Sequence, residues 1–358
     1  MSARPMGRIA RPGGSRWTAA WAVAGGFLLA TAGVAADGPG TQPSLPYAVV
    51  APDERLSFAG ALVRPASEAA QENALRAEMA RVATTQNYAI HPAIWKIGDA
   101  DTTIYIFGTV HSLPPGFRWR NPGLEAVIVR ADSLLLESTD DDADQVTFLE
   151  GMPQDRTLPP LLDRVSHRWR AKLAALQAAL PPEAVQKLDG MPTWIAAMGI
   201  GFVRDLMIGD MPSQGADDWL EQHFHNSGRP VEAIENSKSV VTNINAIPEP
   251  QQRLMLEAAL AAPDHTHAEL DAPAHAWAQG LVGDDSPLRI LPEQLDPSSA
   301  LADPILVQRN NAWVDYLITR IRERPGTVLF AAGAGHFVGP GSVIDLLQKR
   351  GVRVERVQ

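Results

Sequence analysis

The sequence predicts a single α/β domain with a mixed, mostly parallel central sheet and a helical insertion. Short apolar runs bounded by glycine or polar residues alternate with helical stretches, which is typical of a parallel sheet covered by helices. The 358 residues, of which 45% are hydrophobic, are enough to bury one large core or two smaller ones. Between residues 158 and 260 the pattern is mostly helical, and this stretch predicts the insertion.

The N-terminal part of the chain precedes the predicted domain. Four arginines are followed by an apolar stretch and by small residues around Ala35 and Ala36, which is typical of a cleaved secretory signal peptide over residues 1–36. An uncleaved membrane anchor is the alternative, because the apolar stretch approaches the lower limit of a membrane span. Residues 37–67 are rich in Gly and Pro and predict a flexible linker. We therefore expect a periplasmic or secreted protein.

The predicted elements of the domain follow in order. A helix is predicted over residues 68–90, where Ala, Leu, Met and Glu are prominent. The domain itself is predicted over residues 91–358 and begins with an antiparallel hairpin that turns at residues 98–101. The strands are predicted at 94–96, 104–107, 134–136, 231–234, 328–332 and 352–354, and the longer helices at 165–180, 192–208 and 308–321.

Two of the predicted strands end in the same kind of turn. Residues 108–111 read Gly-Thr-Val-His and residues 333–336 read Gly-Ala-Gly-His, each directly after an apolar run. Glycine lets the backbone turn sharply at a strand end, and open α/β sheets bind their ligands outside the carboxyl ends of the strands. We therefore expect the fold to bring His111 and His336 together.

A carboxylate follows a third strand and suggests a metal site. Glu137 comes directly after the apolar run at 134–136. Imidazole nitrogen and carboxylate oxygen suit Zn, Mn, Co or Fe(II), so His111, His336 and Glu137 are the candidate ligands of a divalent metal ion. Glu137 is alternatively the general base that activates a bound water. In the simplest alternative, each histidine only caps its strand through a backbone hydrogen bond.

Three further residues are candidate catalytic groups. Glu235 follows the fourth strand as Glu137 follows the third, and it could ligate metal, act as general base or bond the start of the next helix. Arg309 could hold a substrate carboxylate, steady one of the glutamates or brace the fold as a buried ion pair. Asn310 could complete the metal sphere or polarise a substrate carbonyl.

Other polar residues have less specific patterns. Asp217 and Asp218 are expected to begin a helix that runs through Phe224, and Asp217 could instead belong to the site. Five other histidines are expected at the surface, because a His-x-His pair on a helix points its rings in different directions. These are His223, His225, His265, His267 and His275.

The order of these motifs resembles the TraB/GumN family, which includes the Tiki-type proteases and the pheromone-shutdown proteins. The resemblance begins at Trp95 and covers about three quarters of the chain. It implies that residues 91–358 form a catalytic domain of metal-dependent peptidase type, acting on a peptide or another acyl substrate with Zn, Mn or Co. The matching segments are 93–97, 104–114, 131–137, 215–220, 229–235, 309–313, 333–339 and 346–354.

Composition and absent motifs exclude several classes of protein. The net charge of −10 argues against a general nucleic-acid binder. The sequence has no cysteine, which excludes disulfides, thiol nucleophiles, cysteine ligands and a lipoprotein anchor. It also lacks a G-x-S-x-G nucleophile elbow, a Walker loop and a G-x-G-x-x-G fingerprint. Contact with a membrane is expected only through an uncleaved signal segment.

Three hypotheses about function remain. The first is a metal-dependent hydrolase that acts on peptide or related acyl bonds. The second is a non-catalytic periplasmic protein that binds a peptide or a polysaccharide-related ligand in the same cleft. The third is an esterase-like enzyme that uses histidine and glutamate without metal.

Overall fold

The computed structural model describes most of the predicted domain. The predicted signal peptide and linker lie outside the described residues. In the part of the chain that is described, no helix is both long enough and apolar enough to span a bilayer. The described ranges are 68–139, 157–178, 182–207, 214–261, 266–289 and 306–358.

Six strands form one mixed sheet. They are β1 (Ile94–Gly98), β2 (Thr102–Thr109), β3 (Ser133–Leu136), β4 (Val231–Ala233), β5 (Gly326–Gly333) and β6 (Glu355–Arg356). Their order across the sheet is β4-β3-β5-β2-β1-β6. The four neighbours β4, β3, β5 and β2 are mutually parallel, whereas β1 is antiparallel to both β2 and β6. The predicted fold class is therefore confirmed.

Eleven helices are present among the described residues. The N-terminal helix α1 falls within the range where the sequence predicts one. The helices are α1 (Glu68–Thr85), α2 (Pro122–Arg130), α3 (His167–Ala178), α4 (Pro182–Asp189), α5 (Thr193–Met207), α6 (Ala216–Asn226), α7 (Ser237–Asn245), α8 (Glu249–Ala261), α9 (His267–Ala278), α10 (Gln308–Glu323) and α11 (Val343–Lys349).

Helices cover both faces of the sheet. Both faces are therefore buried, and the strands carry apolar side chains on both sides. One face packs against α2 and α9, and its core includes Phe107, Leu134 and Trp277. The other face packs against α10 and α11, and there Phe330 contacts Trp313. Side chains that alternate along one strand, such as Leu329 and Phe330, belong to different cores. This alternation follows from the twofold period of a strand.

The insertion has a small core of its own. Helices α3 to α6 connect β3 to β4, and α7 and α8 follow β4. Buried residues of α3, α5 and α8 form a cluster that is separate from the two faces of the sheet; it includes Leu173, Ala197, Leu256 and Leu260. Helix α6 instead joins the core of the sheet through Leu220 and Phe224. The insertion is thus anchored to the sheet by its last helix before β4.

The position of the last predicted strand is wrong. Residues 352–354 do not form a strand, and β6 begins only after them. The backbone N–H of Val352 donates to the carbonyl of Leu347 at 3.0 Å and closes the end of α11. Gly351, which has a φ of 78°, supplies the left-handed turn of this helix cap. Because the cap uses the backbone of Val352, pairing with β1 starts later, although the apolar side chains of this stretch still pack on the core.

Of the histidines that the sequence predicts at the surface, one lies in the interior and another is half-buried. His267 is fully buried, and 18% of the His275 side chain is exposed. Both lie on α9 at a spacing of eight residues, with buried Asp271 halfway between them. Residues at this spacing share one face of a helix, which here faces inward. His265 lies outside the described residues. His223 and His225 are partly or fully exposed, as expected.

Candidate active site

Four of the candidate residues extend from the carboxyl ends of the four parallel strands. His111 follows β2, Glu137 follows β3, Glu235 follows β4 and His336 follows β5. Because parallel strands end at the same edge of a sheet, these residues meet although they are far apart in the sequence. The strand ends therefore assemble one site.

The two histidines and Glu137 face one small volume beside Gly333, the last residue of β5. A Cβ atom added to Gly333 would lie 3.2 Å from Nε2 of His111, 3.2 Å from Oε1 of Glu137 and 3.7 Å from Cδ2 of His336. The backbone angles of Gly333, φ −50° and ψ 130°, are open to any residue. Glycine is thus needed here for space and not for conformation.

Glu137 is held through both of its carboxylate oxygens. Oε1 accepts a hydrogen bond from the backbone N–H of Gly333 at 2.6 Å, and Oε2 accepts one from Nη2 of Arg309 at 2.7 Å. Burial disfavours the charged form, but Arg309, the two histidines and the Gly333 N–H together lower the pKa of Glu137 to about 2. Glu137 is therefore a carboxylate at neutral pH.

The ring of His336 is held by Asn310. Nδ1 of His336 lies 2.6 Å from Oδ1 of Asn310, whose Nδ2 donates to the carbonyl of Gly341 at 2.9 Å. Because the amide donates to Gly341, its oxygen faces the histidine and accepts the Nδ1 proton. Nε2 is then left as an acceptor, and it lies 3.9 Å from Oε1 of Glu137. Burial lowers the pKa of His336 to about 3, so that the ring is neutral.

His111 is held by a residue of the helical insertion. Nδ1 of His111 lies 3.1 Å from Oδ1 of Asp217, the second residue of α6. The backbone N–H of Ala216 donates to the carbonyl of Val110 at 3.0 Å, which fixes the start of α6 against this turn. Burial favours the neutral ring, but Asp217 and Glu137 outweigh it and raise the pKa of His111 to about 9.

Arg309 joins the two candidate glutamates. Its Nε donates to Glu235 at 3.0 and 3.1 Å, while Nη2 contacts both Glu235 at 2.5 Å and Glu137 at 2.7 Å. Nε1 of Trp313 also donates to Glu235 at 2.9 Å. Burial raises the pKa of Glu235 although Arg309 and Trp313 oppose it. The start of α7 is capped by Asn236, so Glu235 serves as the anchor of Arg309.

All six residues that the sequence singles out lie in this cluster. They are His111, Glu137, Glu235, Arg309, Asn310 and His336. The sequence left the role of Asp217 open and did not indicate the contact of Trp313 with Glu235. For Asp217 the available signal was its place at a helix start within a segment of the family resemblance. Trp313 looked only like an apolar position on the inner face of α10.

The donor chemistry of the cluster fits a divalent ion. Nε2 of His111 and Oε1 of Glu137 border the same space, and Nε2 of His336 lies 3.9 Å from that oxygen. Nδ1 of His336 is hydrogen-bonded to Asn310, and Nδ1 of His111 lies 3.1 Å from Oδ1 of Asp217. An oxygen atom beside Nδ1 is the usual support for histidines that ligate metal. A Cβ on Gly333 would fill the space between them. Within the described ranges, however, no group of three or more His, Cys, Asp or Glu side chains is already arranged to hold an ion.

Comparison with known families agrees with the fold and the motifs. The sequence model of the TraB/PrgY/gumN family matches residues 93–356, a range that contains the whole sheet and every residue of the cluster. The chain therefore belongs to the TraB/PrgY/gumN family. Neither the curated proteins nor the solved structures contain a significant match to this chain.

Proposed function

We propose that this protein is a metal-dependent hydrolase of the peptidase type that acts on peptide or related acyl bonds. One observation carries the proposal. Nε2 of His111, Oε1 of Glu137 and the ring of His336 surround one small volume, while Nδ1 of each histidine faces an oxygen acceptor. Once both rings are neutral, their Nε2 atoms and the carboxylate of Glu137 form a donor set for a divalent ion, which therefore displaces a proton from His111 when it binds.

The proposed ligands are His111, His336 and Glu137. Their nitrogen and oxygen donors suit Zn, Mn or Co. When bound, such an ion polarises a carbonyl group and lowers the pKa of a coordinated water toward neutrality. The low pKa of Glu137 favours the role of ligand over that of general base, because an efficient base has a pKa near the working pH.

The surrounding residues keep these groups in place. Asn310 accepts the Nδ1 proton of His336 and thereby fixes the orientation of that ring. Arg309 is engaged by Glu137 and Glu235 at once, which keeps Glu137 ionised and its carboxylate oriented. With both glutamates on one guanidinium, we assign Arg309 to positioning and not to capture of a substrate carboxylate.

Metal content and peptide cleavage test the proposal together. The chain would be purified without an affinity tag, its metals measured by mass spectrometry, and a peptide library incubated with it. We expect one divalent ion per chain, lost in His111→Ala and kept in His223→Ala. His223, which stacks on Trp219 with a centroid distance of 4.8 Å, is the matched control.

Glu137→Gln separates the two roles of the carboxylate. Because this change removes the charge and keeps the shape, a ligand role predicts that metal content and turnover fall together. A role as general base predicts that turnover alone collapses while metal stays bound. If Glu137→Gln and Glu235→Gln both keep full activity and metal, this cluster is not the active site.

A binding protein without catalysis is the second candidate. It is favoured by the fact that both oxygens of Glu137 are engaged by the protein, Oε1 by Gly333 and Oε2 by Arg309. The same experiment distinguishes the two functions. A purified chain that holds no metal and cleaves no peptide, but retains peptides from the library, would be a binding protein.

Export completes the proposed function. We propose that the signal peptide is cleaved near Ala35 or Ala36 and that the mature protein works in the periplasm or outside the cell, because the basic, apolar and small-residue regions follow one another in the required order. The intact mass of the exported protein measures this directly. An exported form that still begins at Met1 would instead indicate an uncleaved anchor.

A further inference from the structure

The two histidines of the site are supported by different elements. Asn310, which supports His336, comes from α10, directly beside Arg309. Asp217, which lies beside His111, comes from the helical insertion and is far from His111 in sequence. Asp217 is also almost completely buried, with 4% of its side chain exposed. A buried carboxylate needs a compensating partner. Oδ1 of Asp217 accepts no hydrogen bond of normal geometry, and the ring of His111 lies beside it, with Nδ1 at 3.1 Å.

Asp217 is not required by its own helix. Gly215 is the N-cap residue of α6 and offers no side chain to the free N–H groups there. Asp217 is the second residue of the helix, beyond the position at which a side chain normally caps. Its carboxylate oxygen lies 3.1 Å from Nδ1 of His111 instead. An acidic residue in the first turn favours the start of α6, but this effect does not require the carboxylate to be buried beside His111.

The backbone brings Asp217 to His111 with little freedom. The N–H of Ala216 donates to the carbonyl of Val110 at 3.0 Å, so the residues that immediately precede Asp217 and His111 are joined to each other. Leu220 and Phe224 of the same helix are fully buried in the core of the sheet. The insertion thus places one carboxylate at a fixed position beside the first G-x-x-H turn.

We propose that Asp217 is a positioning residue that accepts the Nδ1 proton of His111 and so directs the Nε2 lone pair toward Glu137 and His336. This inference rests on the proposed metal-dependent function, because its consequence is an oriented ligand. The arrangement matches the one at His336, where Asn310 presents an oxygen to the same ring atom. An acceptor at Nδ1 fixes the tautomer and the rotation of a ligating imidazole, and a carboxylate also strengthens its basicity.

Two substitutions separate orientation from charge. Asp217→Asn removes the charge but retains an amide oxygen that can accept the Nδ1 proton, as Asn310 does at His336. Asp217→Leu keeps the branched shape of the side chain and removes the acceptor altogether. Glu221→Gln is the matched control, because Glu221 is a buried carboxylate one turn further along α6 and faces His225 at 3.4 Å.

The readouts are Zn²⁺ affinity by calorimetry and the ¹⁵N resonances of the His111 ring, with thermal unfolding of each variant as a check of the fold. Loss of a residue that supports a ligand typically weakens metal binding by about 10- to 100-fold, and we expect this for Asp217→Leu. We expect a smaller loss for Asp217→Asn and a change of less than about twofold for Glu221→Gln. In the ion-free protein at alkaline pH, the ring should be a single Nδ1–H tautomer in the wild type and a mixture in Asp217→Leu.

The possible failures are distinct from one another. If Asp217→Leu binds Zn²⁺ as tightly as the wild type and its His111 resonances do not move, Asp217 does not position the ring and the inference is overturned. If the wild type binds neither Zn²⁺ nor Mn²⁺, the proposed function fails. In that case the tautomer of His111 in the ion-free chain still decides whether Asp217 orients it.

Discussion

Two turns of this molecule share a sequence pattern and differ in their surroundings. His111 and His336 each stand three residues after a glycine at the end of a parallel strand. His111 lies beside the carboxylate of Asp217, and 21% of its side chain is exposed. His336 lies beside the neutral amide of Asn310, packs on Trp313 at a centroid distance of 4.3 Å and is 8% exposed. The same G-x-x-H motif therefore receives its neighbouring polar side chain from a different helix in each turn, α6 for His111 and α10 for His336.

These surroundings make the imidazole of His111 cationic and that of His336 neutral at neutral pH. Burial favours the neutral form of both rings. At His111 the carboxylates of Asp217 and Glu137 outweigh burial, and the pKa rises to about 9. At His336 burial dominates and the pKa falls to about 3. A motif thus places a histidine at the sheet edge, whereas its protonation depends on residues that the motif does not contain.

The largest expected effect comes from filling the space that both histidines share. Gly333→Ala would place a Cβ atom 3.2 Å from His111 and from Glu137 without straining the backbone. We expect Zn²⁺ affinity and hydrolysis to fall by about 100-fold or more, because small displacements of reacting groups have large effects. Calorimetry and a cleavage assay measure the loss, and the melting temperature should change little.

Gly283→Ala is the control for this substitution. Among the described residues, its Cβ would meet only a side-chain oxygen of Asp285, also at 3.2 Å. Asp285 is far from the site residues in sequence, and its side chain can move aside. We expect binding and activity to stay at the wild-type level. Tight Zn²⁺ binding by Gly333→Ala would show that His111 and His336 act separately.

The next effect tests the carboxylate that lies between the two rings. Arg309→Lys keeps a positive charge but loses the planar fork that reaches Glu137 and Glu235 together. One buried glutamate is then left without its partner, and we expect the free energy of unfolding to fall by about 2–3 kcal/mol. Chemical denaturation measures this change.

Arg324→Lys provides the comparison at the surface. Arg324 pairs with Glu232 at 3.2 Å, and 51% of its side chain is exposed. Exposed pairs contribute at most about 1 kcal/mol, so this variant should be close to the wild type. Equal effects of the two substitutions would contradict the role given to Arg309.

The stability of the ion-free protein should depend on pH in opposite ways through the two histidines. The folded pKa of His336 is lowered from 6.5 to about 3, so its contribution to stability is present above 6.5 and lost as the pH falls. The folded pKa of His111 is raised from 6.5 to about 9, so its contribution is present below 6.5 and lost as the pH rises. In each of these two pH ranges, the free energy of unfolding should change by about 1.4 kcal/mol per pH unit.

Variants that lack one of the two titrating rings show which histidine causes which loss of stability. His336→Gln should flatten the loss of stability below pH 6.5, and His111→Gln should flatten the loss between 6.5 and 9. Urea denaturation across this range gives the free energies. The cleanest window for His336 lies above 4.5, the ordinary pKa of a glutamate such as Glu137. If both variants remove the loss of stability in the same pH range, the contrast between the two histidines is wrong.

The sheet and its edge could be predicted because they depend on local signals. Apolar runs mark the strands, and glycines or carboxylates mark their ends, so His111, Glu137, Glu235 and His336 were found as strand-end residues. Strand-end residues of parallel strands must meet at one edge. A strand-end motif therefore predicts where a residue lies in the fold, but it does not predict which side chains surround that residue.

The partners of these residues could not be predicted in the same way. Whether Asp217 caps its helix or faces His111 depends on how α6 docks, and the docking is a tertiary contact between Ala216 and Val110. Similarly, the apolar pattern of residues 352–354 is real, but the cap of α11 takes the backbone of Val352. For the histidines of α9, the sequence pattern shows the neighbours along the chain, whereas the side of the helix on which a residue lies decides its burial.

The substitution with the smallest expected effect makes the surroundings of His336 more like those of His111. Asn310→Asp would give His336 a carboxylate at the atom where Asn310 now presents an amide oxygen, 2.6 Å away. An adjacent negative charge favours the imidazolium, so we expect the pKa of His336 to rise by about 1–3 units toward that of His111. Titration of the His336 ring by NMR in the ion-free protein measures the shift, and Asn311→Asp on the exposed side of α10 is the control. A pKa that stays near 3 would mean that burial alone controls His336 and that the identity of its partner does not explain the difference between the two turns.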